Sequence, residues 1–196
     1  MPLPRFTRLP ADEQRRILDI ALTAFAEKGT DAASYNQIIA AAGISRSSAY
    51  NYFDGREDLL DAVLDEVAQR FGDVLGTWPP VADAASFWAE LARSTERIAA
   101  HIEQHPADLA LIDAAFYDRS RGRFVGWIED LVANAADIGL VTIPVDRSLL
   151  VTIMTTVLPA FDTWAIEVMR SGGPMPDFAE LKTVLCHLWG TPDELR

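Results

Sequence analysis

Residues 34–53 read SYNQIIAAAGISRSSAYNYF, and the reading of this stretch decides the fold. Ser34 with Gln37 three positions on forms a capping box, which opens a short helix. Gly43 supplies the left-handed conformation that a tight turn requires. Ser45 is placed to cap a second short helix. Small Ala40, Ala41 and Ala42 let the two helices approach closely, and Ile38, Ile39, Ile44, Ala49 and Phe53 supply an apolar underside. Two short helices about a glycine turn make helix-turn-helix geometry, in which the second helix enters the major groove of DNA. Its outward face is Arg46, Ser47, Ser48, Tyr50, Asn51 and Tyr52, with almost no acid. Hydroxyls and helix N-terminal amides bind phosphate, whereas Arg and Asn read base edges. The same face would also suit a solvated helix in an ordinary helical core, and the spacing alone leaves both open.

Outward from this stretch the pattern is helical throughout. Ile17, Ile20, Ala21, Ala24 and Phe25 recur at helical spacing, with Pro10 suited to a first turn and Gly29 to a stop, so a first helix covers about residues 10–28. Asp54 with Glu57 forms a second capping box, opening a long fourth helix that ends near Gly76. Beyond Pro80 the expected helices cover about 83–103, 106–118, 121–138, 146–171 and 177–189. Pro159 falls inside the eighth and removes a backbone hydrogen bond there. The expected fold is all-α, with about nine helices. A three-helix domain over residues 1–55 is followed by a helical sensing and dimerisation domain over 56–196.

Composition narrows the class. The chain has 196 residues, 49% hydrophobic and 23% charged, which suits a folded protein. Its net charge of −12 argues at first against a polyanionic partner. The charge is unevenly placed: residues 1–60 hold seven Lys/Arg against eight Asp/Glu, and the remainder holds ten against 21. Only the N-terminal part is near neutral and able to approach phosphate. A single cysteine, Cys186, fits a reducing cytoplasm, and the N-terminus has no signal-peptide pattern. The apolar run from Leu149 to Phe161 is shorter than a membrane span needs, so no membrane partner is expected. No phosphate-cradling loop, metal-ligand pair or nucleophile elbow is present, so neither enzyme activity nor a cofactor nor a metal is expected.

The stretch from Ile17 to Leu60 resembles the TetR family of repressors. The resemblance is carried by Ala21, Phe25, Glu27 and Gly29, then Ile38 and Ala42-Gly43-Ile44-Ser45, then Ala49-Tyr50-Asn51-Tyr52-Phe53 and Glu57-Asp58-Leu59-Leu60. It implies phosphate contacts at Ser45, Tyr50 and Tyr52, groove-facing positions at Arg46, Ser47 and Ser48, and backbone clamps at Ser34 and Tyr35. Arg56 stands where the family usually has Lys, keeping the charge and adding bidentate phosphate binding. Asn51 and Gln37 depart from the family's usual residues, so the operator sequence is not read. The resemblance also implies a cytoplasmic homodimer that is released from double-stranded operator DNA by a small-molecule effector. An activator, or a regulator without a ligand, is the second reading, and an all-helical enzyme or an interaction module is a distant third.

The C-terminal part is rich in large apolar residues, most of them simple core. As effector-contact candidates we take Trp88, His101, Asp113, Phe116, Tyr117, Trp127, Met154, Phe161, Asp162 and Trp164. Asp113 falls in an apolar stripe with Ile112 and Phe116, where a carboxylate needs a partner, and Asp162 near Pro159 poses the same question. A carboxylate left unpaired would suit a cationic or hydroxylated aromatic ligand. Leu150, Met154, Val157, Phe161 and Val168 of the eighth helix, with Leu181, Leu185, Leu188 and Trp189 of the ninth, are the expected dimer interface.

Overall fold

The computed structural model describes residues 2–112 and 114–196, and gives the backbone alone for residues 114, 115, 118, 119 and 121. Among the described residues there are nine α-helices, a terminal 3-10 turn and no strand. The helices are α1 Ala11–Lys28, α2 Tyr35–Ala41, α3 Arg46–Tyr52, α4 Arg56–Leu75, α5 Ala84–Gln104, α6 Pro106–Ala110, α7 Ala114–Asp137, α8 Arg147–Arg170 and α9 Phe178–Trp189. The expected sixth and seventh helices divide elsewhere. The break falls after Ala110, and one helix runs unbroken through Ser120 and Gly122, with Ser120 Oγ donating to the Phe116 carbonyl at 2.8 Å.

By its contacts the chain forms two compact units, Met1–Phe71 with Ile102–Ser120, and Gly72–His101 with Arg121–Arg196. The first therefore contains α1, α2, α3 and α6. Arg70 on α4 is its ionic hub. Its guanidinium reaches Asp19 on α1, Glu66 one turn back at 3.4 Å, and Asp108 on α6 at 3.3 Å. Asp108 is 1% exposed, and this pairing helps to make its burial tolerable. Burial lowers the Arg70 pKa, but the hydrogen bond it donates to Asp19 and the charges of Asp108, Asp19 and Glu66 outweigh it and raise the group overall.

The second unit is built on Trp78, Phe87, Leu131, Leu140, Met154 and Trp189. A buried polar clamp sits within it. Asn134 on α7 accepts from Trp78 Nε1 at 3.0 Å and from Val81 N at 2.9 Å, and donates to the Val81 carbonyl at 2.8 Å. Arg97 on α5 donates to the last carbonyls of α4, Val74 and Leu75, while pairing with buried Glu90. That satisfies orphan acceptors at a helix C-terminus.

Two expected faces shift. On α1 the buried stripe is Ile17, Leu18, Ala21, Leu22 and Phe25, while Ile20 and Ala24 stand at its margin beside a groove along α2. On α8 and α9 the residues expected to meet a second copy are largely core: Leu150, Met154, Leu181, Leu185 and Trp189 are at most 4% exposed. The exposed apolar residues are Leu149, Trp164 and Val184. Both helices are apolar nearly all round, so sequence cannot tell the inner stripe from the outer one. By length and composition alone α8, with mean hydropathy 1.6, is able to cross a membrane. About a third of that apolar stretch is buried inside the structure (33%).

Candidate nucleic-acid interface

The turn into α3 is made by Gly43 at φ +67, with Ile44 N bonding to the Ile39 carbonyl across six residues. This wrapped helix end needs a left-handed residue just past the helix, which only glycine adopts cheaply. Beneath it Ile38, Ile39, Ala42, Ala49 and Phe53 are at most 3% exposed, and Ile44 is half-buried. Of the three alanines only Ala42 is buried, so only it serves close approach.

The face of α3 divides into free and engaged groups. Arg46, Ser47 and Asn51 are exposed, and Tyr50 is 61% exposed. Ser48 and Tyr52 are half-buried. Ser45 Oγ accepts from Ser48 N at 3.1 Å and donates to Ser48 Oγ at 2.9 Å, so in this state it caps the helix. Asn51 Nδ2 donates to the Ser47 carbonyl at 2.7 Å, which turns its amide along the helix. Ser34 precedes α2 without a side-chain cap bond, and Gln37 instead accepts from Lys28 Nζ at 2.9 Å. The second expected box uses a different acid, with Asp58 accepting from Asp54 N at 3.0 Å.

Arg56 is turned inward. Its Nη1 donates to the Thr30 carbonyl between α1 and α2, and Nη2 lies 3.7 Å from Glu57. Arg16 does similar work, donating to the Ala42 carbonyl at 2.9 Å. Tyr35 packs against Tyr50 with ring centroids 6.0 Å apart, and its hydroxyl is buried without a hydrogen-bond partner among the described residues. Burial, then Tyr50 and Asp58, push the phenol above its ordinary range.

Sequence reasoning missed the segment before α1. Leu3 N donates to the Tyr52 carbonyl at 2.8 Å. Phe6 is 2% exposed, 4.7 Å from the Phe53 ring and 6.1 Å from Tyr52. Residues 3–6 thus wedge under the end of α3 and bring exposed Arg5 and Arg8 into the same unit. Two apolar residues, Leu3 and Phe6, ahead of Pro10 were the available signal.

The effector candidates scatter. Trp88 and Met154 belong to the core: Trp88 stacks on Trp189 at 6.0 Å and its Nε1 donates to the Leu195 carbonyl at 3.0 Å, while Met154 is fully buried. That packing leaves neither with a surface for a ligand. Phe116 is buried against Phe71 at 6.2 Å, with Tyr117 half-buried beside it, in the first unit. His101, in the second unit, is half-buried. Trp127 lines a cavity of about 270 Å³ with Gly72, Leu75, Arg123, Phe124 and Asp130. Phe161 and Trp164 touch at 5.4 Å. Asp162 keeps exposed surface, yet desolvation by surrounding protein pushes its carboxyl up to about 7. Asp113 lies outside the described residues. Among the described residues no cluster of His, Cys, Asp and Glu is able to hold a metal ion.

Comparison with known proteins supplies a frame for this geometry. Residues 17–63 match the family model "Bacterial regulatory proteins, tetR family". The HTH-type transcriptional regulator LuxR of Vibrio harveyi is 35% identical over 72 residues, which is 37% of this chain and 35% of LuxR. The HTH-type transcriptional repressor KstR2 of Rhodococcus jostii is 40% identical over 35% of this chain and 39% of its own length. The matches thus span little more than a third of those relatives. Over the whole chain, the structure of the fatty acid degradation regulator FadR from Bacillus halodurans superposes with a TM-score of 0.63 at 18% identity, covering 93% of this chain and 96% of FadR. That likeness is one of fold.

Proposed function

From the match of residues 17–63 to the family model of bacterial regulatory proteins, tetR family, we propose that the chain is a cytoplasmic, homodimeric repressor released from a palindromic operator by a small-molecule effector. The observation that carries this reading is the α3 face. Arg46, Ser47, Asn51 and Tyr50 stand exposed on a short helix whose other side is fixed in an apolar core. Arg46 and Ser47 read base edges in the major groove, and Tyr50 and Tyr52 donate to phosphates. Ser45 and Ser48 present the helix N-terminus to a phosphate. Ser34, Tyr35 and Arg56 clamp the backbone after their side chains turn outward.

A domain over residues 1–55 carries this contact, and residues 56–196 sense the effector and pair with a second copy. The exposed stripe of Leu149 and Trp164 on α8, with Val184 on α9, supports pairing through these helices. A two-fold dimer sets its recognition helices about 34–36 Å apart, one turn of DNA, and so requires a palindrome. The name repressor is supported by KstR2 among the relatives. Selection of bound sequences from random duplexes tests the reading, with an enriched palindrome as the expected result. Absence of any enriched palindrome refutes it, and unchanged operator affinity in the Tyr50→Phe, Tyr52→Phe double variant removes the phosphate roles.

A further inference from the structure

We propose that Arg5 and Arg8, on the segment before α1, make a second set of contacts to the phosphate backbone of DNA, beside the end of α3. This rests on the reading of α3 as the DNA-contacting helix and adds to it a segment outside the matched residues 17–63. The segment has a period of three. Phe6 N donates to the Leu3 carbonyl at 2.9 Å and Leu9 N to the Phe6 carbonyl at 3.0 Å, so residues 3–9 form two successive turns. No non-glycine residue among those described has a positive φ, which excludes type II and the primed turns and fits type I at both. In successive turns of this kind, residues three apart fall on one side. Leu3, Phe6 and Leu9 make the inner line, with Phe6 buried and the two leucines half-buried. Arg5 and Arg8 make an outer line, and both are exposed.

The turns are anchored at three points. Leu3 N donates to the Tyr52 carbonyl at 2.8 Å, Phe6 packs on Tyr52 and Phe53, and Gln14 Nε2 on α1 donates to the Leu9 carbonyl at 2.8 Å. The Arg5 Cα therefore stays within about 8 Å of that of Leu3, and so beside Tyr52. A cation on a segment pinned in this way loses little ordering entropy on contact with DNA. Neither guanidinium has a hydrogen bond or ion pair among the described residues. Arg16, Arg56 and Arg70, in contrast, all bond within the protein. Residues 2–11 hold no acid, whereas residues 61–196 hold 21 against ten Lys/Arg. Two unpaired cations in a chain of net charge −12 call for an anionic partner, and a guanidinium grips phosphate oxygens with a two-pronged fork. Base edges lie in the groove that α3 enters, so the share of this segment is the backbone.

Fluorescence anisotropy of the full chain on two labelled duplexes, one enriched by selection and one scrambled, tests this across a range of potassium chloride. Arg5→Gln with Arg8→Gln is expected to weaken binding to both duplexes about tenfold or more at physiological salt. It is also expected to lower the slope of log Kd against log salt by about 2 for each protomer bound, two phosphates at about 0.9 each. Arg5→Lys with Arg8→Lys is expected to keep the slope and most of the affinity. Both variants are expected to unfold at the wild-type temperature, since the exchanged side chains are exposed. Unchanged affinity and slope in the glutamine variant overturn the proposal, as does a loss that the lysine variant shares in full. A loss confined to the enriched duplex, with the slope unchanged, overturns the phosphate role. An enriched palindrome that the glutamine variant binds as wild type does sinks only the role of this segment. A loss on the scrambled duplex, with no palindrome enriched, sinks only the operator reading.

Discussion

Replacing Arg70 with methionine keeps the aliphatic stem on α4 and deletes the charge that neutralises Asp108. Truncating one partner of a buried pair costs about 3–5 kcal/mol when the other charge is left alone. Here the cost is smaller, because Arg70 is 22% exposed and Asp108 has further interactions. The Asp19 contact adds little, since Asp19 is 55% exposed and exposed pairs contribute about 0–1 kcal/mol. The expected loss is therefore about 2–3 kcal/mol, which in a chain of this length lowers Tm by about 5–10 °C. Thermal unfolding followed by circular dichroism reads it, at low and high salt, since a buried pair is screened less than a surface one. Adding Asp108→Asn to the variant removes the buried charge that Arg70 no longer balances and is expected to recover about half the loss. A drop of less than about 2 °C, or a double variant no more stable than the single one, would show that Arg70 does not neutralise Asp108.

Three further outcomes follow from particular side chains. Tyr35→Phe removes a buried hydroxyl that has no partner in the free protein, so stability holds or rises by up to about 1 kcal/mol, while operator affinity falls; a destabilised variant would reveal a partner for that hydroxyl. Asp162 ionises in the unfolded chain near pH 4 but in the folded chain at about 7, so its contribution to stability falls as pH rises through that window and is flat above it. The denaturant midpoint of Asp162→Asn therefore gains on wild type between pH 5 and pH 8, and an equal difference at both pH values would contradict the desolvation of this carboxyl. Leu149→Glu with Val184→Glu is expected to give a monomer by light scattering and to weaken operator binding roughly 100-fold through lost bivalency; an intact dimer would move the interface off this stripe.

The helix-turn-helix was legible because its signals are local. A glycine that must be left-handed, a capping serine and apolar positions at fixed spacing lie within twenty residues of each other. Helix ends marked by Pro10, Gly29 and Gly43 fell within a residue or two of their expected places. What sequence could not give depends on partners far along the chain. Arg56 looked free for phosphate, and only the fold brings the Thr30 carbonyl to it, 26 residues away. Trp88 looked like a pocket aromatic until the chain end supplied the Leu195 carbonyl to its indole. The inner and outer stripes of α8 were confused because Leu149 and Leu150, or Ile153 and Met154, are equally apolar, and only packing chooses between neighbours.

Phe6 gives α3 a neighbour from outside its own motif. The ring of Phe6 wedges beneath Tyr52 and Phe53 at the end of α3, though it lies 46 and 47 residues upstream of them and outside the span matched by the family. On the proposed reading, operator preference is in that sense a two-segment trait. Relatives that share every residue of α3 but differ at positions 3–6 would carry the same reading head on a different mount. On the proposed reading, retargeting this protein to new sequences means varying Leu3 and Phe6 alongside Arg46 and Ser47, since Phe6 packs on Tyr52 and Phe53 at the end of α3.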